Sequence, residues 1–255
     1  MAESVKSADR VLDLLTLLSR NVRGKTFTDI CSELGWPKSS THQLLATLQN
    51  RGFLDLNEAD RRYSIGIRTW EVGQAYLGGQ DLAHDALPYM QELCADINET
   101  VQLAVLDGRE NVYIGKVDAM QPLALASRVG SRLPAHVTGL GKVLLAGLAQ
   151  PVLDNLFTDA EFVKYTPKTI SSLPQLKRAL KEIRINGYAQ DEGEYTRGVY
   201  CIAVPILDER GATAAALSVS VPDVRLTDDF KERMLSGLRD KAAGVSGRLG
   251  YRTAL

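Results

Sequence analysis

Between Leu34 and Leu54 the chain has no Asp or Glu, although over its 255 residues the 31 acids and 30 bases nearly cancel. Near-neutrality excludes a protein that holds polyanions or membranes by bulk charge, so any basic surface has to be local. Cysteine is scarce. Cys31, Cys94 and Cys201 are far apart and without a CxxC pair, which argues against a disulfide framework or a zinc knuckle and fits a reducing compartment. His42, His84 and His136 are scattered, so neither a metal site nor a Ser-His-Asp triad can be composed from them. No apolar run approaches the roughly 18 to 20 residues that span a bilayer, and the opening MAESVKSADR lacks a basic-then-apolar leader pattern. Together these absences predict a globular cytoplasmic protein with no cofactor, no metal and no membrane partner.

What is present is a chain with 45% apolar residues, enough to build one large core or two ordinary ones. Ala8, Val11, Leu12, Leu15 and Leu18 recur at helical spacing and predict a first helix. Thr28 is the expected N-cap of a second, with Asp29 in its positive first turn and Gly35 as its stop. Pro37 suits the first position of a third, which runs to Asn50 or Arg51 before Gly52 ends it. On that helix Thr41, Leu44, Leu45 and Leu48 follow one face and Ser39, His42 and Gln43 the other. Strands at Phe53–Leu56 and Tyr63–Ile65 flank the polar turn NEADRR. Three helices and a hairpin make a winged helix-turn-helix over residues 1–66. Trp70, Val72 and Tyr76, followed by Gly78-Gly79, predict a linker helix over 67–79.

Residues 80–255 read as a second domain of α+β class. Its expected order is a helix over 82–98, strands QLAVLD and NVYIGKV joined at Gly108-Arg109, a helix from Thr138 to about Leu148, and a surface segment. A helix over 173–186, strands at GYAQD, CIAVPIL and TAAALSVSV, and a terminal helix from Thr227 complete it.

The acid-free stretch has a physical reading. The amino-terminal turns of the second helix of a helix-turn-helix reach base edges in the major groove, where an acid would repel the duplex. Lys38, Ser39, Ser40, Thr41, His42 and Gln43 are therefore the expected DNA-binding residues, with Gln43 able to pair bidentately with adenine. Lys38 and Arg51 would neutralise phosphates, and Arg61 and Arg62 would add wing contacts. A two-fold homo-oligomer would match a pseudo-palindromic double-stranded operator.

SVKSADRVLDLLTLLS, FTDICSELGWPKSSTHQLLATLQNRGFL and RRYSIG resemble the DNA-binding half of the IclR family of bacterial transcription regulators. GSRLPAHVTGLGKVLLAGL and NGYAQDEGEYTRGVYCIAVPILDERG are similar to its effector-binding half. The resemblance implies a winged-helix reader joined by a helix to a GAF-like α/β domain that binds a small carboxylate, in dimers or dimer pairs. The family pattern commonly has Arg where this chain has Gln43, so the operator sequence does not carry over.

In AAALSVSV the alternation puts Ser218 and Ser220 on one face and Leu217, Val219 and Val221 on the other. Thr138 is an expected N-cap, and the N–H groups of Gly139, Leu140 and Gly141 would open towards an anion there. Asp191 would accept from a hydroxyl, and Cys201 would offer a small lining group. By similarity to metabolite-bound relatives, Gly139, Leu140, Asp191, Cys201, Ser218 and Ser220 match pocket positions, with Leu125 an apolar wall. The small residues have a plainer reading as sheet packing, and Asp191 as a turn cap.

Other signals are set aside. Gly141-Lys142 lacks the Ser or Thr and the spacing of a phosphate loop. Asp191, Glu192 and Glu194 are expected to diverge on a solvated loop rather than form an acid/base pair, and Cys201 has no base to activate it. The expectation is a ligand-responsive regulator and not an enzyme. A small-molecule enzyme with a winged-helix dimerisation domain and an architectural DNA binder are the competing readings. For the effector, VYIGKVDAMQPLALASRVGSRLP with GRLGY looks most like regulators of sugar-acid catabolism of the 2-keto-3-deoxygluconate type, whereas GSRLPA and LLAGL also occur in regulators of aromatic-acid degradation. Few aromatics are expected in the pocket, which favours the sugar acid.

Overall fold

The structure, a computed structural model, describes residues 5–74, 82–120 and 127–252. The chain divides into two compact units, Met1–Asp81 and Leu82–Leu255. The first contains α1 (Lys6–Ser19), β1 (Lys25–Thr26), α2 (Phe27–Leu34), α3 (Lys38–Asn50), β2 (Leu54–Asn57), β3 (Arg62–Ile65) and α4 (Ile67–Gln74). Its strands form an antiparallel sheet in the order β1-β3-β2. Leu14, Leu18, Ile30, Leu45, Leu48, Leu54 and Tyr63 make one apolar core. A winged helix-turn-helix results. The expected linker over 67–79 coincides with α4 in its first eight residues, and 75–79 lie outside the described residues.

Local chemistry corrects three expectations here. The sequence offers two overlapping helical stripes in α1, and the fold buries the carboxyl-terminal one: Leu14 and Leu18 are buried, Val11 and Leu15 half-buried, while Leu12 is 62% exposed and Ala8 exposed. The cap of α2 is Thr26, not Thr28. Asp29 N donates to Thr26 Oγ1 at 3.2 Å and Thr26 N to the Asp29 carboxylate at 3.2 Å, a reciprocal box that holds the Asp29 carboxyl below its usual pKa. Pro37 is the N-cap of α3 and Lys38 its first residue. Gly35 ends α2 at φ 65°, a left-handed conformation that costs glycine no Cβ clash.

The second unit is built on a six-stranded antiparallel sheet. Its elements are α5 (Leu82–Ile97), β4 (Thr100–Asp107), β5 (Glu110–Val117), β6 (Arg132–Pro134), α6 (Gly139–Ala146), α7 (Gln150–Phe157), α8 (Leu173–Asn186), β7 (Ala189–Glu192), β8 (Val199–Leu207), β9 (Thr213–Pro222) and α9 (Asp228–Arg248). The strand order is β6-β5-β4-β9-β8-β7. One face carries Val101, Leu103, Leu217, Val219, Ile202 and Val204 against Met90, Leu93, Met234 and Leu238 of α5 and α9. The opposite face carries Ala104, Ala203 and Ala216 against Leu140, Val143 and Leu144 of α6. Small residues on that face let α6 lie close to the sheet. Within what reads as a surface segment, α7 buries Leu153 and Phe157 against Leu176 and Leu180 of α8.

Candidate functional site

Two helix starts concentrate the polar chemistry. The first is α3. No side chain caps it, so its opening N–H groups remain available to an anion, and its first turn contains no acid. Lys38, Ser39, His42, Gln43 and Arg51 are exposed. His42 also packs edge-on against Phe27, with ring centroids 6.3 Å apart. Thr41 belongs elsewhere: it is 1% exposed and its hydroxyl donates to the Pro37 carbonyl at 2.9 Å, so it is removed from the expected DNA surface. Ser40 also donates to Pro37 O, at 3.1 Å, and its Oγ accepts from Arg10 at 3.2 Å. On the wing, Arg61 pairs with Glu58, and Arg62 donates to Gly24 O at 3.0 Å. The Arg61 side chain is exposed, and that of Arg62, which also lies 3.8 Å from Asp60, is partly so.

The second start is α6, buried from Gly139 to Leu145. Thr138 caps it: Thr138 Oγ1 accepts from Gly141 N at 3.0 Å and donates to Asn111 Oδ1 at 2.8 Å. The Gly141 N–H is thereby engaged, leaving those of Gly139 and Leu140 as the open donors of the expected three. Gly141 has to be glycine for packing, since a Cβ would lie 2.3 Å from Ala135 Cα. A Cβ on Gly139 would lie 3.2 Å from Cys201 Sγ, so the helix start sits directly on β8.

Beside this start is a small cavity lined in part by Leu140, Asp191, Cys201 and Ser220, four of the expected effector residues. Asp191 and Cys201 are cross-strand partners, as are Cys201 and Ser220. Ser218 shares the face of Ser220 but is sealed at 0% exposure, does not line the cavity, and has a hydroxyl without a hydrogen-bond partner among the described residues. Gly139 stands behind the lining rather than in it. Leu125 lies outside the described residues.

The cavity also contains groups that sequence reasoning missed. Gln102 of β4, 2% exposed, donates to Ser127 Oγ and accepts from Ser220 Oγ at 3.0 Å. A signal existed: a Gln inside TVQLAVLD shares its alternation with Thr100 and Ala104, the face that pairs with Ser218 and Ser220. Tyr113 and Tyr195 line the cavity as well, two aromatics among its twelve lining residues. Burial pushes the Tyr113 phenol well above its usual range, so it is a neutral donor.

Electrostatics centre on Asp191. Burial pushes its carboxyl up to about 6, against the lowering effect of the Glu194 N–H, which donates to Asp191 Oδ1 at 2.7 Å. Glu194 is not on a solvated loop. It is 9% exposed and pairs with Lys142 of α6, itself 4% exposed, whose Nζ also donates to Gln190 O at 2.6 Å. Burial raises the Glu194 carboxyl, opposed by the ammonium beside it. Thr166 donates to Gly193 O at 2.8 Å and Thr169 to Glu194 O at 2.7 Å, so the turn after Asp191 is held by two hydroxyls of one segment. Cys201 is an inert lining thiol, pushed up to about 12 by burial and then by Asp191.

Among the described residues no cluster of metal-ligating side chains occurs, and no helix is long and apolar enough to cross a membrane.

Comparison with known proteins agrees with both halves. The IclR helix-turn-helix domain model matches residues 7–58, and that of the bacterial transcriptional regulator IclR C-terminal domain matches 74–247. The HTH-type transcriptional regulator XynR of Escherichia coli (strain K12) is 35% identical over 247 residues, covering 97% of this chain and 98% of that protein. The regulator KdgR of Dickeya chrysanthemi is 34% identical over 249 residues, covering 98% of this chain and 81% of that one. Among solved structures, the Thermotoga maritima IclR superposes with a TM-score of 0.79 at 29% identity, covering 96% of this chain and 99% of its own. An IclR homolog from Microbacterium hydrocarbonoxydans, complexed with 4-hydroxybenzoate, does so at 0.84 and 27%, with the same coverage. The chain belongs to the IclR family of bacterial transcriptional regulators, as a DNA-binding regulator and not an enzyme.

Proposed function

We propose that this regulator senses a small hydroxylated carboxylate, of sugar-acid type, in the cavity beside the start of α6. The observation that carries this reading is the buried polar chain Ser127–Gln102–Ser220, which lines one cavity with Leu140 and with Asp191, Cys201 standing between Ser220 and Asp191 in the strand register. The open N–H groups of Gly139 and Leu140 suit the carboxylate, while Asp191, Gln102 and Ser220 suit hydroxyls. A sugar acid offers both kinds of group on one small molecule. Similarity to regulators named for KdgR and XynR is consistent with this class without naming the ligand.

A second reading has its own observation. Tyr113, Tyr195, Leu133 and Val199 also line the cavity, and a relative is known in complex with 4-hydroxybenzoate. An aromatic acid would stack on these groups and leave the Gln102 amide without a ligand partner.

DNA is read, in this proposal, by Lys38, Ser39, Ser40, His42 and Gln43 in the major groove, with Arg51 and the wing pair Arg61 and Arg62 on phosphates. Two copies would read a pseudo-palindrome with half-sites about one helical turn, or a multiple, apart. Effector binding shifts duplex affinity through unequal affinity for the two arrangements of the reading heads. A thermal-shift panel separates the ligand classes. Saturable stabilisation by 2-keto-3-deoxygluconate or an aldonate, lost in Asp191→Ala, supports the sugar-acid reading. Stabilisation by 4-hydroxybenzoate alone transfers the site to the aromatic class.

A further inference from the structure

A groove runs along the first unit between α1 and α3. It is lined by Val5, Lys6, Ser7 and Arg10 from the α1 end, Trp36 before α3, and Ser40, Gln43, Leu44 and Thr47 of α3. None of these is acidic. Lys6 and Arg10 are one helical turn apart, and Ser40, Gln43 and Thr47 follow the same period on α3, so two polar stripes face each other across the groove. Arg10 is fixed in place. Its guanidinium lies over the Trp36 ring, 5.4 Å from the centroid, and donates to Ser40 Oγ at 3.2 Å.

We propose that this groove seats the sugar–phosphate strand bordering the major groove, with Arg10 and Lys6 as phosphate contacts and Trp36 as the residue that aims Arg10. The inference rests on the reading that Gln43 faces base edges, because the groove shares Gln43 as one wall. A helix in the major groove is flanked by backbone on either side, and a groove without acids beside the reading residue has the charge and the place to receive it. A planar guanidinium stacked on an indole retains in-plane donors at its edge, the geometry that grips phosphate. Arg10 is thus a positioning residue as well as a contact: by engaging Ser40 it also orients that hydroxyl at the helix start.

The test uses the intact chain and a mixed-sequence 30-base-pair duplex, with affinity measured by fluorescence anisotropy from low to moderate salt. Each phosphate contact contributes about 0.9 to the slope of log K against log salt. Arg10→Ala should reduce the slope by about 0.9 and weaken binding about 8-fold at 0.1 M salt, the effect of one fewer released counterion. Lys6→Ala, on an exposed first turn where folding is not at stake, should lower the slope in the same way. Trp36→Leu should lower the slope by no more than Arg10→Ala does, and adding it to Arg10→Ala should change nothing further, since the indole acts through the guanidinium. Melting temperatures of the variants separate unfolding from lost contact, and Lys6→Ala decides the question if Arg10→Ala does not fold. An unchanged slope in both Arg10→Ala and Lys6→Ala overturns the proposal and leaves the groove to another occupant. If those variants behave as expected while Gln43→Ala leaves base preference untouched, the reading of Gln43 fails instead.

Discussion

The starts of α3 and α6 are both free of acid, yet they solve opposite problems. At α3 the polar groups stand in water, where each Coulombic contact is weak and the number of contacts determines affinity. At α6 the helix start is buried against β8, where a few fixed dipoles act in a low dielectric and any unmatched group is costly. On the proposed function, the difference follows from the size of the anion. A duplex cannot be enclosed, so exposed side chains would read it. A small carboxylate can be enclosed, so backbone and side chains already bonded to one another would hold it. The two starts should therefore respond to substitution differently, with stability affected mainly at α6 and recognition mainly at α3.

The largest effect is expected at the buried pair. Lys142→Ala leaves the Glu194 carboxylate without its counter-charge and should cost about 3–5 kcal/mol in urea unfolding. Lys142→Met with Glu194→Leu should recover most of that. A loss below about 1 kcal/mol for the single change would mean that the pair is hydrated and that α6 resembles α3 more than its burial indicates.

Next is Asp191. Its carboxyl is raised from 3.8 to about 6, so between these values the folded state binds the extra proton. Without ligand, its contribution is fully favourable below about 4 and is lost as pH rises through 6, a swing of about 3 kcal/mol. Asp191→Asn should be more stable than the parent at pH 7 by up to that amount and equal to it at pH 4, as read from urea midpoints. Equal midpoints at both pH values would show that Asp191 is solvated. The ordinary chain keeps a destabilising carboxylate where a ligand hydroxyl would meet it, a trade of stability against binding.

The smallest effect belongs to α3. Gln43→Ala should leave stability and the salt slope unchanged, and relax discrimination at one base position by about 1–3 kcal/mol, measured by competition among operator variants. Loss of stability instead would place Gln43 in the fold rather than at the duplex.

What the sequence made legible followed from local rules. Thr138, Thr227 and Gly35 mark helix ends through capping chemistry that needs no tertiary partner. Alternation in TAAALSVSV separated Ser218 and Ser220 from the apolar face correctly. Register between strands is a different matter. Asp191 and Cys201 were expected on neighbouring strands, and they pair, but that Gln102 stands across from Ser218 depends on β4 lying beside β9, which one sequence does not state. The Lys142–Glu194 pair was hidden for the same reason: 52 residues separate two charges that each look solvated alone. Strands β1 and β6, of two and three residues, are too short to show alternation. Leu12 was misplaced because two helical stripes overlap in α1, and only the packed core chooses between them.

The link between the two helix starts is tested most directly by titrating a carboxylate into the intact chain on a fluorescent duplex from its own upstream region. The account predicts that a sugar acid changes duplex affinity by about 5- to 150-fold, and that Asp191→Ala binds the duplex as the parent does while losing that change. An unaltered response in Asp191→Ala would contradict the account, because the small anion would then be held somewhere other than at the start of α6.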